Sequence, residues 1–100
     1  MNTIITSAAE AVRYAEARPY QNLMITVDKF GNAALADKTT TGLIYVEKRG
    51  GDPTPTPKDI EIAKEYRKTA HDLGLSFIDY IIIGADAYFS FADEKQTELN

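Results

Sequence analysis

Leu23, Ile25 and Val27 alternate with Met24 and Thr26, a period of two that predicts a half-buried β-strand. Upstream, Ser7-Ala8-Ala9-Glu10 has the form of a capping box, whose hydroxyl and carboxylate satisfy the free amides of a helix start. It predicts a short Ala-rich helix to Arg18, stopped by Pro19, which disfavours helical geometry in the residue before it. The stripe of Ala8, Val12 and Ala15 is thin, so this helix is expected at an edge of the domain. Asp28-Lys29-Phe30-Gly31-Asn32 reads as a turn, followed by a short second strand over 34–36. After another turn at 37–41, residues 42–47 are rich in β-formers and predict a third strand.

Pro53, Pro55 and Pro57 make residues 50–57 a stiff, extended surface loop with few amide donors. Thr56-Pro57-Lys58-Asp59 is a second capping box, with proline at the favoured first helical position. The helix it opens is expected to reach about residue 73, burying Ile62 or Ala63, Tyr66, Ala70 and Leu73, and Gly74 ends it. Residues 77–83 are apolar on both faces, which predicts a central strand. Gly84-Ala85-Asp86 turns the chain into a last strand over 87–91, and residues 93–100 form a polar tail expected to fray. The predicted fold is α+β, in the order α-β-β-β-α-β-β. A small, mainly antiparallel sheet carries two helices in a single domain over residues 1–100.

A chain of 100 residues with 44% apolar content holds one core with little margin. The absence of cysteine removes disulfides and thiolate metal sites. The N-terminus lacks the basic segment and apolar run of a signal peptide, and no apolar run, 81–83 included, exceeds four residues, far short of the ~20 residues of a membrane span. A soluble cytoplasmic domain is therefore expected. The net charge of −4 argues against gripping a phosphate backbone, which requires clustered Lys and Arg. Lys58, Lys64, Arg67 and Lys68 interleave with Asp59, Glu61 and Glu65, the mark of a solvated helix face. Residues 72–98 carry Lys95 as their only base and would suit a basic partner.

Gly51-Asp52-Pro53-Thr54-Pro55, then Thr56 and Asp59, a helix, and Asp79-Tyr80-Ile81-Ile82-Ile83-Gly84 follow one another with a distinctive spacing. Order and spacing resemble the C-terminal half of RadC-like proteins of the JAB/MPN family. That pattern reads His-x-His-Pro-Ser-Gly-Asp-Pro-x-Pro-Ser-x-x-Asp, a helix, Asp-His-Ile-Ile-Ile-Gly and Tyr-x-Ser-Phe. The N-terminal half resembles the family's opening hairpin more weakly, through Val27-Asp28, the turn around Lys29, Gly31 and Asn32, and Thr41-Gly42. The resemblance implies a shortened JAB/RadC-like fold without the His-x-His pair. Either a helix, a buried strand and that pair are deleted near 47–51, or a gapless match puts Val46 and Lys48 at the two histidines.

In that family two His and one Asp hold zinc and a Glu on the first strand is the general base. Such a centre requires about three protein ligands and an open position for water. Only Asp59 matches a ligand position, Thr56 matches the Ser that assists the oxyanion, and the Glu position falls near Tyr20 or Gln21. No catalytic residue, metal ligand set or cofactor is therefore expected, and Thr56 and Asp59 are sufficiently explained as helix caps. His71, the only histidine, lies far along the same helix from Asp59 and cannot share a metal with it within one molecule. Asp79 is expected on the face of Phe77, Ile81 and Ile83, where it needs hydrogen bonds to loop amides. Ser90 has no base beside it in sequence, and no nucleophile elbow or phosphate-binding loop occurs.

The expected function is that of a catalytically inactive RadC-like module acting by protein–protein binding. Its finer form is a mobile-element or phage inhibitor of a host defence system, of the anti-CRISPR or antirestriction type. The candidate partner surface comprises Lys48, Arg49 and Asp52 of the junction loop with Tyr45, Tyr80 and Tyr88. The partner is expected to be a basic or nucleic-acid-binding protein, or a second copy of the chain. One alternative is a metal-dependent hydrolase completed across an oligomer interface, Asp59 of one chain with His71 of another. The other is single-stranded nucleic-acid binding through the sheet tyrosines.

Overall fold

A computed structural model describes residues 3–99. The elements are β1 (Thr3–Ile4), α1 (Ala8–Glu16), β2 (Asn22–Val27), β3 (Asn32–Ala33), β4 (Gly42–Lys48), α2 (Pro57–Asp72), β5 (Ser76–Ile83), β6 (Ala87–Ser90) and β7 (Lys95–Glu98). One seven-stranded sheet runs in the order β1-β3-β2-β4-β5-β6-β7. Only β4 and β5 are parallel, and α2 crosses over between them. The fold is α+β and mainly antiparallel, as expected, and consistent with a shortened JAB/RadC domain. It has one strand more at each end than the pattern predicts.

Both helices start as their sequences dictate. Ser7 Oγ accepts from Glu10 N, while the Glu10 carboxylate reaches back one residue further than a standard box, to Thr6 N at 2.9 Å. At α2 the box is complete: Thr56 Oγ1 accepts from Asp59 N and Asp59 Oδ2 accepts from Thr56 N. Gly74, with φ +75°, ends α2 in the left-handed geometry that glycine adopts without strain.

The sheet buries a different set on each face. On one, Ala11, Val12 and Ala15 of α1 pack with Ile25, Val27, Ile44, Val46, Ile81, Ile83 and Tyr88. On the other, Ala63 of α2 packs with Tyr80 and Ile82, flanked by Tyr45, Tyr66, Phe77 and Phe91. β5 is therefore covered on both faces, which is why its sequence is an unbroken apolar run.

Five expectations are corrected. α1 lies over the central strands β4 and β5 rather than at an edge, because its stripe includes Ala11 and small side chains allow close approach. The second strand is Asn32–Ala33 instead of 34–36: the Asp28 carboxylate ties Phe30 N and Asn32 N into a tight turn, so pairing starts at once. Leu73 is exposed, since α2 has ended at Asp72 and its stripe has rotated away from the sheet. Phe77 lies on the α2 face, opposite Asp79, because Ile78 is an extra residue: Leu43 pairs with Phe77 and Ile44 with Asp79. The tail does not fray over 95–98, where β7 completes the free edge of β6; residue 100 lies outside the described residues.

At the β5–β6 turn, the backbone of Gly84 passes against the loop after β4. A Cβ on Gly84 would stand 2.3 Å from Gly51 O and 2.7 Å from Pro53 Cδ. Gly84→Ala should therefore cost about 1–3 kcal/mol of stability by overpacking, read as a lowered midpoint in urea denaturation. An unchanged midpoint would mean that the junction loop moves aside freely.

Candidate functional site

The residues that carry the family pattern meet at the carboxyl ends of the parallel pair β4 and β5. Arg49 leaves β4 with its backbone N–H donating to Ile83 O at 2.8 Å, and Gly50 N shares that acceptor at 3.2 Å. Ala85 N donates to Gly51 O at 2.9 Å, so the loop is stitched to the end of β5 before it enters α2. This brings the Arg49 side chain over the first turn of α2. Its guanidinium closes on Asp59 as a fork, Nη1 to Oδ2 at 2.9 Å and Nη2 to Oδ1 at 2.7 Å. Nε donates to Glu47 Oε2 at 2.9 Å. Tyr45, Glu47 and Arg49 alternate along one face of the chain, so the arginine reaches both carboxylates without distortion.

Asp59 is buried, and the paired Arg49 guanidinium holds its carboxyl down to about 2, against the opposing effect of burial. The hydrogen bonds to Asp59 and Glu47 raise Arg49 further above its ordinary range. Beside them, burial pushes the phenols of Tyr45 and Tyr80 upward, with nearby carboxylate charge adding to it. Both shifts favour the protonated phenol.

The remaining candidates are dispersed. Tyr80 and Tyr88 are 1% and 7% exposed, on opposite faces of the sheet, so neither belongs to a partner surface. Tyr45 is half-buried under α2, 5.1 Å from Tyr66 ring to ring. Lys48 turns to the opposite face and donates through Nζ to Arg18 O. Asp52 is exposed and accepts from Thr54 N at 2.9 Å. Gln21 donates to Lys48 O, and Tyr20 is exposed. His71 is exposed in the last turn of α2.

Asp79 does bond loop amides, with Oδ1 accepting from Tyr80 N at 2.7 Å and Ala92 N at 2.9 Å. Its Oδ2 accepts from the buried Ser90 Oγ at 2.5 Å, so the base missing beside Ser90 in sequence stands across the sheet. Burial raises Asp79 from its ordinary value, and the three donors oppose the shift. With Ser90 wholly inaccessible, the pair is a structural clamp. The Arg49–Asp59 pairing went unread in sequence; its one local signal is Glu47-x-Arg49 on a strand end, ahead of a helix whose third residue is acidic.

A mixed sheet clasped by one helix on each face, with an acidic cap residue at the mouth of its parallel pair, is a compact JAB-type domain. The model of the RadC-like JAB domain matches residues 21–97, and the chain belongs to that family. A UPF0758 protein of Thermotoga maritima is 35% identical over 70 residues, 69% of this chain and 31% of that protein. One from Geotalea uraniireducens is 34% identical over 62 residues, 62% and 27% of the two chains. One from Alkaliphilus oremlandii is 33% identical over 64 residues, 64% and 28%. The chain thus spans between a quarter and a third of these relatives.

The zinc that the family resemblance implies does not fit the residues present. Both Asp59 oxygens are held by a guanidinium. Val46, one of the gapless histidine positions, is buried against α1, and Lys48 lies on that same side. Among the described residues no three His, Cys, Asp or Glu side chains converge on a common point.

The pair has a pH signature. Asp59 is displaced downward in the folded state, so its contribution is complete above the ordinary value of 3.8 and is lost as pH falls toward about 2. Arg49→Met should cost about 1–2 kcal/mol at neutral pH, after allowance for the partial exposure of Arg49. The gap from wild type, measured by denaturation across pH, should close between 3.8 and about 2. A pH-independent gap would assign the loss to packing of the arginine stem.

Proposed function

We propose that this chain is a catalytically silent RadC-like module that acts by binding another protein. The observation that carries the reading is the Arg49 fork on Asp59, which fills the one position matching a family ligand with a cation supplied by the chain itself. The exposed carboxylates Asp86, Asp93, Glu94 and Glu98 around β6 and β7 favour a basic partner. The finer reading is an inhibitor of a host defence nuclease, carried by a phage or another mobile element; it rests on the resemblance and on the acidic surface.

The two alternatives lose their main supports. A hydrolase completed by His71 of a second copy would have to displace Arg49 from a buried carboxylate. A single-strand platform would use sheet tyrosines that are packed under helices.

Calorimetric titration of chelator-treated protein with zinc tests the silent site, with no stoichiometric heat expected for wild type. Tight stoichiometric binding, abolished in Asp59→Ala, would overturn it. The defence reading is tested by phage plating on a host with an active restriction or CRISPR nuclease. Expression of the chain should raise the plating efficiency on that host. Unchanged plating rejects that reading.

A further inference from the structure

We infer that the outer edge of β2 is a homodimer interface, along which two copies of this chain join antiparallel across a two-fold axis at Leu23. β2 pairs with β4 over its whole length, Asn22 to Val27, but with β3 only at Val27↔Ala33. The direction of its backbone groups follows from the flanking bonds. Gln21 O accepts from Lys48 N and Val27 O from Thr41 N, so odd residues face β4; Thr26 O accepts from Ala34 N, so even residues face outward. Among the described residues, the N–H and C=O groups of Asn22 and Met24 therefore have no partner strand.

That edge has none of the usual guards. Asn-Leu-Met-Ile-Thr-Val contains no charge and no proline, whereas β7 carries Lys95 and Glu98 and β1 is only two residues long. Exposed apolar side chains gather around it: Tyr20 is 62% exposed, Met24 44% and Leu35 92%. With Tyr14 and Leu23 they line one groove along the strand. Its one charged lining residue among those described, Arg18, is folded back over the Tyr14 ring and donates to Tyr14 O.

A second copy is the occupant that the register selects. Identical antiparallel strands oppose residues whose numbers have a constant sum, and a hydrogen-bonded pair needs two outward-facing, even-numbered residues. Asn22 opposite Met24 satisfies this twice, for four hydrogen bonds, with Leu23 facing Leu23 on the axis. A two-fold at Met24 would require Thr26, which already bonds Ala34. One at Asn22 would pair Met24 with Tyr20, which lies outside the strand. Two chains of charge −4 repel each other overall, and a strand without charged residues adds no local repulsion to that. The short contact implies a weak, concentration-dependent dimer, and it involves neither Arg49 nor Asp59.

Sedimentation equilibrium up to ~1 mM, a concentration that detects weak self-association, should show a monomer–dimer equilibrium. Met24→Pro removes a donor that points away from β4, and Met24→Lys adds an edge charge. Each should weaken the dimer at least about tenfold while leaving the monomer folded by circular dichroism. Because the chain has no cysteine, Leu23→Cys reports directly on the axis. Facing residues in a non-hydrogen-bonded pair have Cα atoms ~4.5 Å apart, within disulfide reach, so mild oxidation should cross-link this variant far faster than Thr69→Cys on α2. A strict monomer, a dimer indifferent to both Met24 variants, or equal cross-linking at positions 23 and 69 would each overturn the proposal.

Discussion

The parallel pairing of β4 with β5 is the constraint on which the rest of this fold depends. Parallel neighbours cannot be joined by a hairpin; the chain must leave the end of one strand, cross a face of the sheet and re-enter at the start of the next. Here the crossing is α2, and the crossing places its first turn beside the carboxyl ends of both strands. Arg49, Gly51, Pro53 and Asp59 are packed together because they lie on that path, and Ile83 and Gly84 receive them on the other side. The crossing also covers the second face of β5, so the most apolar strand in the chain becomes its centre.

A buried carboxylate at a helix start needs positive charge or donors around it, and the nature of that charge decides what else the site can do. A guanidinium satisfies Asp59 from within the chain, using two parallel hydrogen bonds and a third bond to Glu47 that holds the fork in place. The outcome is a junction whose polar groups are directed at one another instead of outward. Asp79 shows the opposite solution on the other face: among the described residues its hydrogen-bond partners are two amides and a hydroxyl, with no cation.

What could be read in the sequence was local. Both helix N-caps, the stop at Gly74 and the central position of β5 follow from residues within a few positions of one another. What could not be read depended on partners far along the chain. Lys95–Glu98 has no apolar alternation and is a strand only because the edge of β6 accepts it. Arg49 and Asp59 are separated by a proline-rich loop whose path is set by Ile83 and Gly84. Tyrosine misled for a related reason: its hydroxyl suggests exposure, yet Tyr80 is enclosed by Tyr45, Tyr66 and Phe91. The match to the family survived these misreadings because its motif lies on the crossing itself.

The extra residue at Ile78 has a consequence for how this chain can change length over evolutionary time. A single insertion within a strand exchanges the two faces for every residue on one side of it. Ile78 stands so near the start of β5 that only Ser76 and Phe77 are exchanged, while Asp79 to Ile83 keep their register against Ile44 to Lys48. Gly42 has no side chain to obstruct the surplus residue, which lies directly over it. The start of β5 is thus a point in the ladder where a residue can be added or removed without disturbing the register against β4 beyond it.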